Sequence, residues 1–275
     1  MSFLKNDEIF HATIEVSHFG NAVLDSTKTT YTIRDEYGKI YYKEISNNRT
    51  IPVGNCIQLG EVNYPLASIT SPAKLNLEVC IEGTHFANDW DFWVYPAVVE
   101  TNQGNVYITD TFNEKALETL ASGGNVLITA ARKITYGQGI VQQFTPVFWN
   151  TSWFKMRPPH TTGIWVNNNH PLFKNFPTEY HSNLQWWELL NNAQVMLFSD
   201  FAYEFEPLVQ SIDTWFLSRK IGTLFEAHVL NGKLMMTSMD ITTDLDNRIV
   251  ARQMRKAILD YMNSPHFRPV SHVKV

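Results

Sequence analysis

Cysteine, clustered positive charge and long apolar runs are what this chain has least of. Only Cys56 and Cys80 occur in 275 residues, both in the first third. They can pair with each other, but two cysteines in a chain this long do not make a disulfide scaffold, and they leave the compartment open. A net charge of -5 and the lack of any Lys/Arg cluster remove the electrostatic footprint of a nucleic-acid binder. No stretch is apolar for the length a bilayer requires, which excludes a transmembrane helix. Residues 1–8 lack the basic and then apolar regions of a secretory signal. A strand-like run begins almost at once, at residues 9–16, as in a segment cut from a longer polypeptide. What is there is a folded composition, 44% hydrophobic and 18% charged, with length enough for two domains.

The pattern changes near residue 96. Before it, short alternating runs at residues 10–16, 29–34, 40–45, 56–59 and 74–81 are separated by turn residues such as Asp35, Gly38, Asn47, Asn48, Pro52, Gly54 and Pro72. Alternation with period two at this spacing predicts an antiparallel β-sandwich of immunoglobulin-like size. After it, strand and helix alternate. Residues 105–109 read as an apolar strand and 113–120 as a short helix with Asn113 as its N-cap; Gly123 and Gly124 end that helix before a second strand at 126–129. This is a βαβ unit, so parallel strands follow. Asn231-Gly232 between apolar runs signals a hairpin. Residues 248–262 carry Val250, Met254, Ile258 and Tyr261 at helical spacing, a core-facing stripe. Asp244, Asp246 and Asn247 stand where they can cap that helix. The second part reads as a layered α/β domain of flavodoxin-like style.

One segment has neither period. Residues 144–160 crowd Phe144, Pro146, Phe148, Trp149, Trp153, Phe154, Pro158 and Pro159 together with Asn150, Arg157 and His160. Aromatic faces stack on the C–H faces of pyranose rings, and amide, guanidinium and imidazole groups pair with hydroxyls. The same composition also serves a loop packed by its own side chains.

Several stretches together resemble the C-terminal region of bacterial glycoside hydrolase family 2 proteins, the β-galactosidase-like group. They are Asn88-Asp89-Trp90-Asp91-Phe92-Trp93-Val94-Tyr95-Pro96, Pro146-Val147-Phe148-Trp149-Asn150-Thr151, Tyr180-His181-Ser182-Asn183 and Gln185-Trp186-Trp187-Glu188. Residues 15–20 and 240–248 fit the same picture, so the resemblance covers nearly the whole chain. It implies an immunoglobulin-like domain, residues 1–87, followed by a class I glutamine amidotransferase-like domain, residues 88–275. Both would lie downstream of a catalytic (β/α)₈ barrel with paired glutamates, in a periplasmic or secreted bacterial parent. The chain has no room for that barrel.

That departure governs the functional reading. Retaining glycoside hydrolysis needs two carboxyl groups about 5 to 5.5 Å apart. Glu179, Glu188, Asp200, Glu204, Glu206 and Asp213 supply carboxylates, but none in a barrel-strand context. Amidotransferase chemistry needs a Cys on a tight turn after a strand, and no Cys follows residue 80. His160, His170 and His181 with Glu188 lack the spacing of a metal motif. The expectation is therefore a non-catalytic accessory region with no cofactor and no metal. Its partners would be the barrel of the same parent polypeptide, a glycan and a second copy of the chain. The alternatives are an independent carbohydrate-binding module and a cryptic hydrolase. Ligands of open α/β sheets bind beyond the carboxyl ends of the strands. The insertion after Thr129 is accordingly expected to bring Trp149, Asn150, Trp153, Arg157 and His160 beside His181 and Trp187 in a carbohydrate pocket.

Overall fold

A computed structural model describes residues 2–137, 140, 142, 144, 161–191, 193–214 and 217–274. The fold is rich in β-sheet and has few helices, and the chain divides into two compact units, Met1–Val98 and Val99–Val275.

Unit 1 contains strands β1 (Phe3–Lys5), β2 (Ile9–His18), β3 (Leu24–Thr27), β4 (Thr29–Asp35), β5 (Ile40–Ile45), β6 (Arg49–Ile51), β7 (Gly54–Pro65), β8 (Ala73–Ile81) and β9 (Ala87–Tyr95). Five of them form one sheet in the order β1-β9-β8-β4-β5; β2 pairs with β7, and β3 with β6. Alternate side chains of a strand point to opposite faces, and in β8 Leu75, Leu77, Val79 and Ile81 are all buried. The layers meet through Phe10 on β2 and Phe92 on β9, whose rings stack at 4.3 Å. They also meet through Tyr31 on β4, whose hydroxyl donates to the carbonyl of Leu59 on β7 at 3.0 Å. Cys56 and Cys80 are unpaired.

Residues 88–95, which carry part of the resemblance and open the second expected domain, belong to this unit. β9 pairs along β8 from Ala87 to Val94 and with β1 from Trp93 to Tyr95. The division expected at residue 87 therefore falls after Val98. The resemblance put the break at the turn before β9, but the ladder hydrogen bonds of that strand to β8 and β1 make it a member of the first unit's sheet. Of its four large rings, Phe92, Trp93 and Tyr95 are buried, whereas Trp90 is 47% exposed.

Unit 2 begins with β10 (Val106–Thr109), α1 (Glu114–Ala121) and β11 (Asn125–Thr129). The two strands are parallel, and the helix starts at its predicted cap: the Asn113 side chain accepts a hydrogen bond from the Ala116 amide at 2.9 Å. Further on come β12 (Ile164–Val166), a short 3₁₀ turn at Pro171–Asn175, α2 (Trp186–Asn191), β13 (Met196–Leu197), β14 (Val209–Ser211), β15 (Ile221–Val229), β16 (Gly232–Thr237) and α3 (Ile249–Met262). The main path of the sheet is β10-β11-β16-β15-β14-β12, with β13 added to β15. The β10–β11 and β11–β16 pairs are parallel, whereas the β16–β15, β15–β14 and β14–β12 pairs are antiparallel.

The β15–β16 hairpin turns on Leu230 and Asn231, with Leu230 at φ 53°, one residue earlier than the Asn-Gly rule implies. Gly232 serves close approach instead, since a Cβ there would lie 2.5 Å from the carbonyl oxygen of Gly124. Val250, Met254, Ile258 and Tyr261 of α3 are all buried. Its first turn departs from expectation: Arg248 holds the N-cap position with no side-chain cap bond, while Asp244 accepts from Asn247. The tail returns to the end of β15. The His228 amide donates to the Ser271 carbonyl at 2.7 Å, the Val273 amide to the His228 carbonyl at 2.9 Å, and the His228 and His272 rings stack at 4.9 Å. Among the described residues no helix is long and apolar enough to cross a membrane.

Candidate functional site

The carboxyl ends of the three parallel strands carry a row of charged side chains. Asp110 follows β10, Arg132 and Lys133 follow β11, and Asp240 follows β16. The strands are in register there, Thr129 opposite Thr237, and the Ala130 amide donates to the Thr237 carbonyl at 2.8 Å. Lys133 pairs with Asp110, and Arg132 lies 3.9 Å from Asp240. Arg132 adopts φ 62°, a left-handed conformation that costs a non-glycine residue about 1 to 3 kcal/mol and is concentrated at functional turns.

Arg248 ties this edge to α2. Its Nε lies 2.7 Å from Glu188, a guanidinium nitrogen lies 3.4 Å from an Asp240 carboxylate oxygen, and another donates to the Asp240 carbonyl at 2.8 Å. The two carboxylates respond in opposite directions. Burial alone would raise Asp240, but hydrogen bonds from the Thr243 hydroxyl and the Thr242 and Thr243 amides, with the Arg248 charge, hold it down at about 2. Burial pushes Glu188 up, against the opposing pull of Arg248, and the nearby charges of Asp240 and Asp244 add to the rise. Carboxyl groups driven apart in this way are the raw material of acid–base pairs. Here, however, Asp240 is 4% exposed and its oxygens are taken up by the turn that follows it, so its first task is to shape that turn.

Aromatic side chains stand exposed in the same unit. Trp165 on β12 forms a bridge with His181, and the Tyr180 ring packs on His181 at 4.9 Å. Trp165, Tyr180 and Trp187 are 38%, 62% and 53% exposed, which suits stacking on a flat apolar face. Phe144 links the two neighbourhoods: its carbonyl accepts from the Ser182 hydroxyl at 3.5 Å, and its ring meets Trp187 edge-on at 5.5 Å. Of the expected pocket, Trp187 meets Phe144 through its ring, and His181 precedes the Ser182 that bonds to the Phe144 carbonyl. Trp149, Asn150, Trp153, Arg157 and His160 lie outside the described residues, as does the Pro146–Thr151 stretch that helps carry the resemblance. Trp186, adjacent in sequence to Trp187, is fully buried and donates its indole N–H to the Thr178 hydroxyl at 2.9 Å.

His170, considered above with His181 and Glu188, sits instead beside Glu226 and Tyr261. Its Nε2 is 3.6 Å from Glu226 and 3.3 Å from the Tyr261 hydroxyl, which donates to Glu226 at 2.8 Å. Burial and the Glu226 charge push the Tyr261 phenol far up, and the three groups form a hydrogen-bonded tie between α3 and the sheet. No group of three or more potential metal ligands occurs among the described residues. Asp213 forms a bidentate pair with Arg219, at 2.8 and 2.9 Å, beyond the end of β14.

With this geometry in place, two family profiles match the chain. One, described as Domain of unknown function (DUF8487), spans residues 107–275; the other, Domain of unknown function (DUF8488), spans residues 8–96. The chain belongs to the DUF8487 family. The two matched ranges fall within the two compact units. A comparison with curated proteins gives no match. Among solved structures, the beta-glucuronidase (GUS) of Parabacteroides merdae is similar at 10% identity and a TM-score of 0.21, over 45% of this chain and 22% of that one. The chain spans about a fifth of that protein's length, and the likeness is too loose to carry an argument about fold or activity.

Proposed function

We propose that this chain is a non-catalytic accessory region of a family 2 glycoside hydrolase and that unit 2 contacts glycan. In this reading unit 1 is an immunoglobulin-like sandwich and unit 2 an amidotransferase-like layer that has lost its chemistry. The β1-β9-β8-β4-β5 sheet facing β2-β7 supports the first assignment, and the parallel β10-β11-β16 core with α1 between its first strands supports the second. At the turn after β11 the residues are Ala130, Ala131 and Arg132, with no cysteine anywhere after residue 80. The partners are the barrel of the parent polypeptide and a second copy of the chain.

The observation that carries the glycan contact is the exposure of Trp165, Tyr180 and Trp187 in the unit that also holds the charged carboxyl edge. A buried structural role asks for none of these rings to face solvent, while a sugar uses both the flat faces and the polar rim. Trp149, Asn150, Trp153, Arg157 and His160 complete the proposed pocket.

The test is a titration of the full chain with monosaccharides and oligosaccharides, read by tryptophan fluorescence, beside assays with aryl glycosides and glutamine. Binding without turnover is the expected result, and Trp153→Ala should weaken it by about 1 to 3 kcal/mol. Turnover abolished by changing one carboxylate would make the chain an enzyme. A wild type that binds no sugar, together with a Trp153→Ala protein destabilised by about 3 to 5 kcal/mol, would return the segment to the core.

A further inference from the structure

The register of unit 1 shows that one indole is on the wrong side of its exposure. Leu77 and Val79 of β8 are buried and stand opposite Trp90 and Asn88 of β9, just as buried Leu75 stands opposite Phe92. Positions 88, 90, 92 and 94 therefore face the β2–β7 layer. Phe92 and Val94 are buried on that face, yet Trp90 is 47% exposed. A ring on the inner face of a sandwich stays open only where the opposing layer falls short.

Two cavities of about 340 and 410 Å³ flank this ring. The first is lined by Val16, Leu59, Val79, Ile81 and Phe86, the second by Phe10, Ala12, Leu77 and Phe92; Ile14, Glu15 and Trp90 line both. They follow one another along β2. Two strand edges border them. Among the described residues, β2 is paired on one side only, with β7, and β9 pairs with β1 only from Trp93 to Tyr95, leaving that side of residues 87–91 without a strand. Exposed edges of this kind present unpaired N–H and C=O groups at the strand period, and proteins ordinarily cover or blunt them.

We infer that this opening receives an extended segment of another polypeptide, which adds to the free edge of β2, places two apolar side chains in the cavities beside Trp90, and carries Lys or Arg between them. A peptide backbone repeats its donors and acceptors with the same period as β2, so it satisfies an edge that a sugar or an acyl chain would leave bare. Side chains on one face of a strand recur about every 7 Å, which fits neighbouring cavities that share Ile14 and Trp90. Glu15 lines both cavities and no Lys or Arg lines either, whereas Asp91, on the opposite face of β9, is already paired with Lys74 at 2.8 Å, so the position beside Glu15 between the apolar anchors favours a cation.

The experiment titrates the full chain with a seven-residue peptide of alternating Val and Lys, followed by tryptophan emission and amide hydrogen exchange. The expected result is a saturable blue shift that Trp90→Phe removes, with at least tenfold slower exchange confined to residues 9–18. Peptides with an N-methylated backbone, or with Glu in place of Lys, should bind at least tenfold more weakly. Equal binding by the N-methylated peptide, or unchanged exchange in β2 at saturating peptide, overturns the proposal without reference to any variant. Protection of β2 that grows with protein concentration in the absence of peptide would assign the edge to a second copy of the chain and overturn it too.

Discussion

Arg248 Nε lies 2.7 Å from Glu188, and the same guanidinium donates to the Asp240 carbonyl at 2.8 Å. One side chain thus joins α2 to the loop that leaves β16. Removing one member of a buried charge network leaves the others uncompensated and costs about 3 to 5 kcal/mol. Arg248→Met should lose stability on that scale in denaturant unfolding. Arg248→Lys should recover only part of it, because an ammonium cannot reach both partners with a planar fork.

The two carboxylates give opposite pH signatures. Asp240 is depressed from 3.8 to about 2, so its contribution is present above the ordinary carboxylate value and disappears as pH falls through about 2. At about 1.4 kcal/mol per unit, Asp240→Asn should cost about 2 kcal/mol at neutral pH and progressively less in strong acid. Glu188 is raised, first by burial. Its contribution is fully present below the ordinary carboxylate value and is lost as pH rises through the raised one. The melting temperature of Glu188→Gln, compared with wild type, should therefore improve with rising pH. A flat difference would contradict the raised value.

Neighbouring tryptophans should behave differently. Trp186 is fully buried against Phe173 and Phe176, with its N–H bonded to Thr178, and Trp186→Ala should cost about 3 to 5 kcal/mol in chemical denaturation. Trp187 is 53% exposed, so Trp187→Ala should cost much less and should reduce any sugar-induced fluorescence change. Similar destabilisation by both would place Trp187 in the core.

Gly232→Ala forces a methyl toward the Gly124 carbonyl and the Leu120 backbone, at 2.5 and 2.7 Å. Backbone atoms yield less readily than a side chain, and overpacking of this kind costs about 1 to 3 kcal/mol. The midpoint of urea unfolding reads it directly.

The parts of the fold carried by local period were legible in sequence. The β10–α1–β11 unit followed from apolar runs, the Asn113 cap and the Gly123 stop, and the buried stripe of α3 followed from helical spacing. The short strands β1, β3 and β6 were not, since each is held by a partner distant in sequence and has too few residues to show alternation. The placement of β9 was missed for the opposite reason: its aromatic density masked an ordinary pairing with β8. At the candidate site, Trp187 and His181 were visible as residue types. Arg132 was not, and Arg248 was visible only as the end of the 240–248 stretch, because their roles come from where strands end and how α2 packs. A further signal was the position of Arg132 and Asp240, each three residues beyond a parallel strand.

The tail clasped to β15 has a practical meaning for handling the protein. Residues 271–273 occupy the backbone of β15 around His228, beyond the reach of β14, which pairs no farther than Leu224. Cleavage after Phe267 would free that stretch and leave bare backbone beside the buried, apolar Ala227 and Val229. Such a surface templates further strands, so a preparation clipped near its carboxyl terminus should precipitate on storage while its intact counterpart stays clear.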